Sequence, residues 1–323
     1  MIQAYIHFNK KKRRKEMSKI RRTKTIEGIK VPGFICNGGR YFFNYIDVYE
    51  DGMVNCWELV DLEGLTEKLD IGWLVPKVPL GEGISIHGLG YYKLVAADWQ
   101  MNKSRYQDYI HDKVRGLNPS FTNIYQISNE EKKLWQERRV KYSPSPEDFV
   151  VTQEVGYTTE PGDGFTIFMK HRGRNYLVRL LVYRHDTVIC YCPHFELTFK
   201  LDQMRKLWDE GIFFTSVKTR TPIVWDDLGV LTVIDGGYAC DVEEKFKEFM
   251  DISSRVKGEK SVIEKCREAY FNYLEYPNEH TRSKLKEAYE LVPEHQRMYL
   301  GDMDNKDYDY VRIIYHPEQK REV

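Results

Sequence analysis

The sequence has no stretch that approaches the roughly 20 apolar residues needed to cross a bilayer, and its N-terminus has no apolar core of a secretory signal. It also lacks the short motifs that announce a chemistry. There is no Gly-x-Ser-x-Gly elbow, no phosphate-binding loop ending in Gly-Lys-Ser/Thr, and no His-Glu-x-x-His helix. Cysteine is sparse: six residues at 36, 56, 190, 192, 240 and 266 are too scattered for a disulfide framework in 323 residues. These absences predict a soluble cytoplasmic protein with reduced thiols, no membrane partner and no cofactor.

What is present is globular in character. Hydrophobic residues make up 41% and charged residues 30%, which is too apolar for a disordered chain. The aromatic share is 14%, with 23 Tyr, and favours strands and partly polar, adhesive surfaces. Net charge is zero but unevenly spread. Residues 1–30 hold eleven Lys or Arg against Glu16 and Glu27, a balance of +9 that leaves −9 for the rest. A flexible basic arm is expected there, and such an arm can bind nucleic acid by releasing counterions. Met17 opens a fresh Met-Ser-Lys-Ile and offers a second start to the chain.

The strongest signal is an internal repeat. At an offset of 134, Phe34 falls on Phe168, Gly39-Arg40 on Gly173-Arg174, Val48-Tyr49 on Val182-Tyr183, Val54 on Val188 and Cys56 on Cys190. The offset then becomes 139, as if five residues had entered the second copy near Cys192 to Glu196. Leu62 now falls on Leu201, Asp70 on Asp209, Gly72 on Gly211, Val78 on Val217, Ile84 on Ile223 and Leu89-Gly90 on Leu228-Gly229. The matches are mostly apolar residues and glycines, which fix cores and turns.

Each copy reads ββαββα. Strand-like runs flank turn signals at Glu50-Asp51-Gly52 and Arg184-His185-Asp186. Short amphipathic helices at 62–69 and 201–208 stop before Gly72 and Gly211. A longer helix closes each copy, at Asn102 to Arg115 and Asp241 to Val256. In the latter Asp241 is the N-cap, and Val242, Phe246, Phe249 and Met250 form the apolar face. The predicted fold is α+β, with two tandem pseudo-symmetric units of mixed or antiparallel strands. Residues 1–30 are the arm, 31–118 and 164–258 the units, and 119–163 a linker with one helix over Asn129 to Val140. Residues 259–323 supply C-terminal helices and a closing strand over Tyr308 to Tyr315, where Tyr, Val and Ile alternate.

Several clusters invite a chemical reading. Cys190-Tyr-Cys192-Pro-His194 offers thiolates and imidazole to a metal, but Cys190 matches Cys56 as a shared core position and no fourth ligand is in sight. Gly81, Gly83, Gly88 and Gly90 flank a short strand rather than a strand-to-helix turn, so they read as turn residues. His87 and Asp226 hold equivalent places in the two copies. Packed about a pseudo-twofold, His87 could meet Asp226 across a cleft as an acid–base pair, with Asp227 as a further candidate, or each could equally be a turn residue facing water. Asp302-Met-Asp304-Asn-Lys-Asp307 lacks the glycine and the distal glutamate of a calcium loop. The absence of motifs and the wealth of aromatics favour a non-catalytic protein-binding or regulatory module. The alternatives are an enzyme with its site between the units and a nucleic-acid binder acting through the basic arm.

Overall fold

The computed structural model describes residues 26–137, 162–302 and 305–319. The basic run 10–24, residues 138–161 of the predicted linker (with the end of its expected helix) and Asp304 lie outside them. Gly28 to Lys30, read as part of the arm, belong to a strand.

The first copy runs β1 (Gly28–Asn37), β2 (Arg40–Tyr49), β3 (Val54–Asn55), β4 (Leu59–Val60), α1 (Leu62–Asp70), β5 (Leu74–Val75), β6 (Gly83–Ile86), β7 (Gly90–Trp99) and α2 (Lys103–Leu117). A short helix, α3 (Asn129–Gln136), follows. The second copy runs β8 (Gly162–His171), β9 (Arg174–Tyr183), β10 (Thr187–Cys192), β11 (Phe195–Lys200), α4 (Leu201–Asp209), β12 (Phe213–Phe214), β13 (Thr221–Trp225), a 3-10 turn (Asp226–Leu228), β14 (Gly229–Ala239) and α5 (Val242–Arg255). The repeated α+β unit is therefore richer in strands than ββαββα. Each copy opens with a further long strand, and a two-residue strand follows its first helix.

The described residues fall into two compact units that do not coincide with the two copies. One comprises 26–30, 47–67 and 109–137; the other comprises 31–46, 68–108, 162–302 and 305–319. In the first, Asp61 caps α1: its carboxylate accepts from the backbone N–H of Gly64 and of Ile127, both at 2.8 Å. β3 pairs with the Asp47-Val48 end of β2.

The second unit holds most of a mixed sheet whose hydrogen-bonded order is β11-β10-β9-β13-β14-β7-β6-β2-β1-β5, with β12 beside β8 and β8 beside β9. Its register repeats the sequence offsets pair for pair. Phe34 pairs with Val75 as Phe168 pairs with Phe214. Phe43 lies parallel to Ile86 as Leu177 lies parallel to Trp225. Ile84 faces Tyr92 as Ile223 faces Leu231. The five extra residues of the second copy lengthen the β10–β11 hairpin, whose tip pairs Cys192 with Phe195.

The copies join edge to edge through the antiparallel β7–β14 ladder, in which Val233 pairs with Leu94. Around Trp225, fully buried in β13, the core gathers equivalent residues of both copies: the rings of Phe34 and Phe168 lie 6.0 and 6.4 Å from it. Burying such aromatic surface is the main force that holds a sheet of this kind to its helices.

The C-terminal segment contains α6 (Val262–Glu275), α7 (Glu279–Leu291), a 3-10 segment (Glu294–Tyr299) and α8 (Tyr308–Tyr315). Ser261 and Asn278 cap α6 and α7, each in a reciprocal capping box. The segment has a small core of its own, formed by Cys266, Leu285, Tyr289, Val292, Leu300, Tyr310, Ile313 and Ile314. Residues 308–315 form a helix and not the closing strand expected from the sequence. Tyr310, Ile313 and Ile314 fall at helical spacing and bury together, so tertiary packing overrides the strand preference of Tyr, Val and Ile. No helix among the described residues is long and apolar enough to cross a membrane.

Candidate functional site

The α5 helix carries the most unusual group of side chains in the second unit. Asp241 caps it, accepting from the N–H groups of Glu243 and Glu244. Of the apolar face expected from the sequence, Phe249 is fully buried but Met250 is exposed. Lys245, Glu248 and Ile252 turn inward beside Phe249 instead. Two ionisable residues one turn apart thus sit in the interior, and burial of that kind requires complete pairing.

The pairing is extensive. The Lys245 ammonium donates to Glu248 Oε2 at 2.7 Å and to the Gly88 carbonyl at 2.8 Å, and lies 4.1 Å from the centre of the Phe165 ring. His295 Nε2, from the 3-10 segment after α7, meets the same Glu248 oxygen at 2.7 Å. His295 Nδ1 stands 3.2 Å from Cys240 Sγ. The result is a linear thiol–imidazole–carboxylate array, Cys240–His295–Glu248, braced by Lys245. Burial works against the charge of Glu248, but the His295 hydrogen bond and the Lys245 ammonium outweigh it and hold the carboxyl below its ordinary range. An ionised Glu248 places the imidazole proton on Nε2 and turns the Nδ1 lone pair towards the thiol. Burial pushes the Cys240 thiol up to about 12, so the resting group is S–H rather than thiolate.

Cys240 is only 2% exposed, yet it belongs to the lining of a surface groove of about 750 Å³. Half-buried Phe214 gives the groove its aromatic wall, over the buried rings of Trp208 and Phe213, and Lys170, Lys218, Asp235 and Asp241 supply charge of both signs. Asp235 is held in place as acceptor from Ser216 Oγ and the Val217 N–H, each at 2.6 Å. Lys170 lies 5.6 Å from the centre of the Phe214 ring. The volume is in the range of ordinary ligand pockets.

The residues singled out from the sequence lie elsewhere. His87 is exposed at the β6–β7 turn, which lies at the opposite end of the β7–β14 ladder from the Asp226 turn, since Gly90 pairs with Ala239 and Gly229 with Trp99. The expected pairing across a cleft does not form. Equivalent turns follow β6 and β13, and the copies meet through β7 and β14 rather than through those turns.

Asp226 is nevertheless unusual. It is 4% exposed, adopts a left-handed backbone with φ +44°, and accepts from the Tyr45 hydroxyl at 2.7 Å through Oδ2. Its Oδ1 is enclosed without a hydrogen-bond partner. Burial raises its pKa to about 7, with the neighbouring Asp227 charge adding to the shift and Tyr45 and Arg179 opposing it. A strained, buried carboxyl of this kind stands apart from ordinary turn aspartates.

Cys190 and Cys192 point to the buried face of β10, with Cys190 Sγ 3.3 Å from Met169 Sδ. His194 is exposed at the hairpin tip, its Nε2 3.4 Å from the Asp226 carbonyl. The two thiols and the imidazole therefore do not converge. Among the described residues no group of three or more His, Cys, Asp or Glu is placed to hold a metal ion.

Sequence reasoning missed the Cys240 array. The one available signal was a lysine and a glutamate at 245 and 248, on a helix whose neighbours Phe249 and Ile252 are core residues. Nothing in the spacing points to His295, 47 residues beyond Glu248.

The chain belongs to a family described as Domain of unknown function (DUF7638), whose model matches residues 16–121 and 150–260 and so covers both copies of the repeat. A second family model, Domain of unknown function (DUF7639), matches residues 261–322, the C-terminal segment that contributes His295. No curated protein and no solved structure matches the chain.

Proposed function

We propose that this chain is a binding or regulatory protein that takes a segment of a partner protein into the groove walled by Phe214. The observation that carries the reading is the composition of that groove. An aromatic wall flanked by Lys170, Lys218, Asp235 and Asp241 suits an apolar side chain with charged neighbours.

The test is affinity capture with the full-length chain and with Phe214→Asp, which puts a charge on the wall at a half-buried position. The variant should lose at least ten-fold in affinity for partners held by the wild type, about 1.4 kcal/mol, while keeping its melting temperature within a few degrees. Undiminished capture by Phe214→Asp would remove the groove from the binding surface.

A further inference from the structure

We infer that Cys240 is a catalytic nucleophile for activated acyl groups, esters or thioesters, with His295 as its general base and Glu248 as the residue that orients the base. This rests on the reading of the groove as a binding site and adds chemistry to it. A nucleophilic site needs a thiol within hydrogen-bond reach of a base, and a third group that fixes the base's tautomer. Cys240 Sγ, His295 Nδ1, His295 Nε2 and Glu248 Oε2 meet those requirements in series, at 3.2 and 2.7 Å.

The surroundings agree. Cys240 directly precedes Asp241, the N-cap of α5, so the positive end of a 14-residue helix lies next to it in the chain, and Lys245 favours negative charge on the sulfur against the opposing carboxylates of Glu248, Asp241 and Glu244. The Cys240 carbonyl accepts from Thr215 Oγ1, and its N–H donates to the Leu89 carbonyl at 2.8 Å, which fixes the backbone that carries the thiol. Lys245 balances Glu248 and ties it to the β6–β7 turn through Gly88. Among the described residues no hydrogen bond joins an imidazole to the other buried thiols of the unit: Cys190 packs against Met169, Cys192 meets the backbone N–H groups of His194 and Phe195, and Cys266 lies in the apolar core of the C-terminal segment.

In the first step the Cys240 S–H proton passes to His295 Nδ1 as sulfur bonds to the acyl carbon. The carbonyl electron pair moves to oxygen and returns as the bond to the alcohol or thiol breaks, and the leaving group takes the proton from His295. Water then attacks the thioester, giving its proton to His295; the sulfur departs and recovers that proton. The sum is ester plus water to acid plus alcohol. Because burial keeps the resting thiol protonated, proton removal must coincide with attack, which is what a base in contact with sulfur provides.

The experiment uses the full-length chain and p-nitrophenyl acetate. The wild type should release nitrophenolate in a stoichiometric burst and carry an acetyl group on Cys240, located by peptide mass spectrometry. Cys240→Ala should abolish burst and adduct. His295→Gln should slow acylation by about 10²- to 10⁴-fold. Cys36→Ser, at a half-exposed thiol outside the array, should leave both unchanged. Far-ultraviolet circular dichroism and melting of each variant separate loss of base from loss of fold, and the wild-type result needs no variant at all. A wild type without an acetyl group on Cys240, or a folded His295→Gln that acylates at the wild-type rate, would overturn the inference. The small probe does not depend on partner capture, so this failure is distinct from failure of the groove as a protein-binding surface.

Discussion

Val233 pairs across the β7–β14 ladder with Leu94, the residue that occupies its own place in the other copy at the offset of 139. A pair of equivalent residues facing each other marks a local twofold axis, and the core around Trp225 is assembled about it. Trp225 touches Phe34 and Phe168, which are themselves equivalent. Trp225→Ala should cost about 3–5 kcal/mol in urea unfolding. Phe34→Ala and Phe168→Ala should combine non-additively, by about 0.5–3 kcal/mol, because they share that ring. Strict additivity would show that the two copies' cores are energetically separate.

Asp226 makes stability depend on pH. Its folded pKa is raised to about 7, whereas the unfolded chain titrates it near the ordinary carboxylate value of about 4. Between those values the folded state holds a proton that the unfolded state has released. The stabilisation is therefore complete below about pH 4 and is lost as pH rises through about 7, with a total on the order of 4 kcal/mol. Asp226→Asn keeps an acceptor for Tyr45 and tolerates the left-handed backbone. Its melting temperature should stay level between pH 5 and 8, while that of the wild type falls. A parallel fall in both proteins would assign the dependence to another group.

Lys245 and Glu248 are paired in the interior of the larger unit. Lys245→Ala strands the Glu248 carboxylate beside His295 and should destabilise by about 3–5 kcal/mol in chemical denaturation. Adding Glu248→Gln should restore part of that loss, since a neutral amide is cheaper to bury than an unpaired charge. A double variant no better than Lys245→Ala would show that the lysine acts through packing against Phe165.

In the smaller unit, Asp61 accepts from two backbone N–H groups that belong to different segments, Gly64 in α1 and Ile127 before α3. Asp61→Ala should lower stability by about 2–3 kcal/mol, since it leaves two donors without an acceptor. Amide hydrogen exchange should locate the loosening at 62–66 and 125–129. Unchanged protection at Ile127 would count against the link.

The repeat was legible because turns and cores constrain residue identity: Gly72 and Gly211 both take positive φ after a short helix, and Ile84 and Ile223 occupy one register position. The opening strands β1 and β8 were less so, since Pro32-Gly33 and Gly162-Asp163-Gly164 inside them read as turn residues. Tyr308 to Tyr315 misled because alternating Tyr, Val and Ile satisfies a strand pattern as well as a helix stripe, and only packing against Tyr270 and Tyr289 decides between them. Asp226 was visible as a symmetry-related turn residue, but its burial was not. Cys240 and His295 carry no pattern at all: one follows the end of a strand, the other sits in a 3-10 segment after Pro293, and neither position has a period to read.

The origin of His295 bears on how the site was assembled. The thiol and the carboxylate lie within the repeated family, 150–260, and the imidazole lies within the family matched over 261–322. A protein built from the repeat alone would keep Cys240 and Glu248 but have nothing to join them. The array thus draws on both family-matched segments, and the chemistry inferred for Cys240 would be lost with residues 261–322.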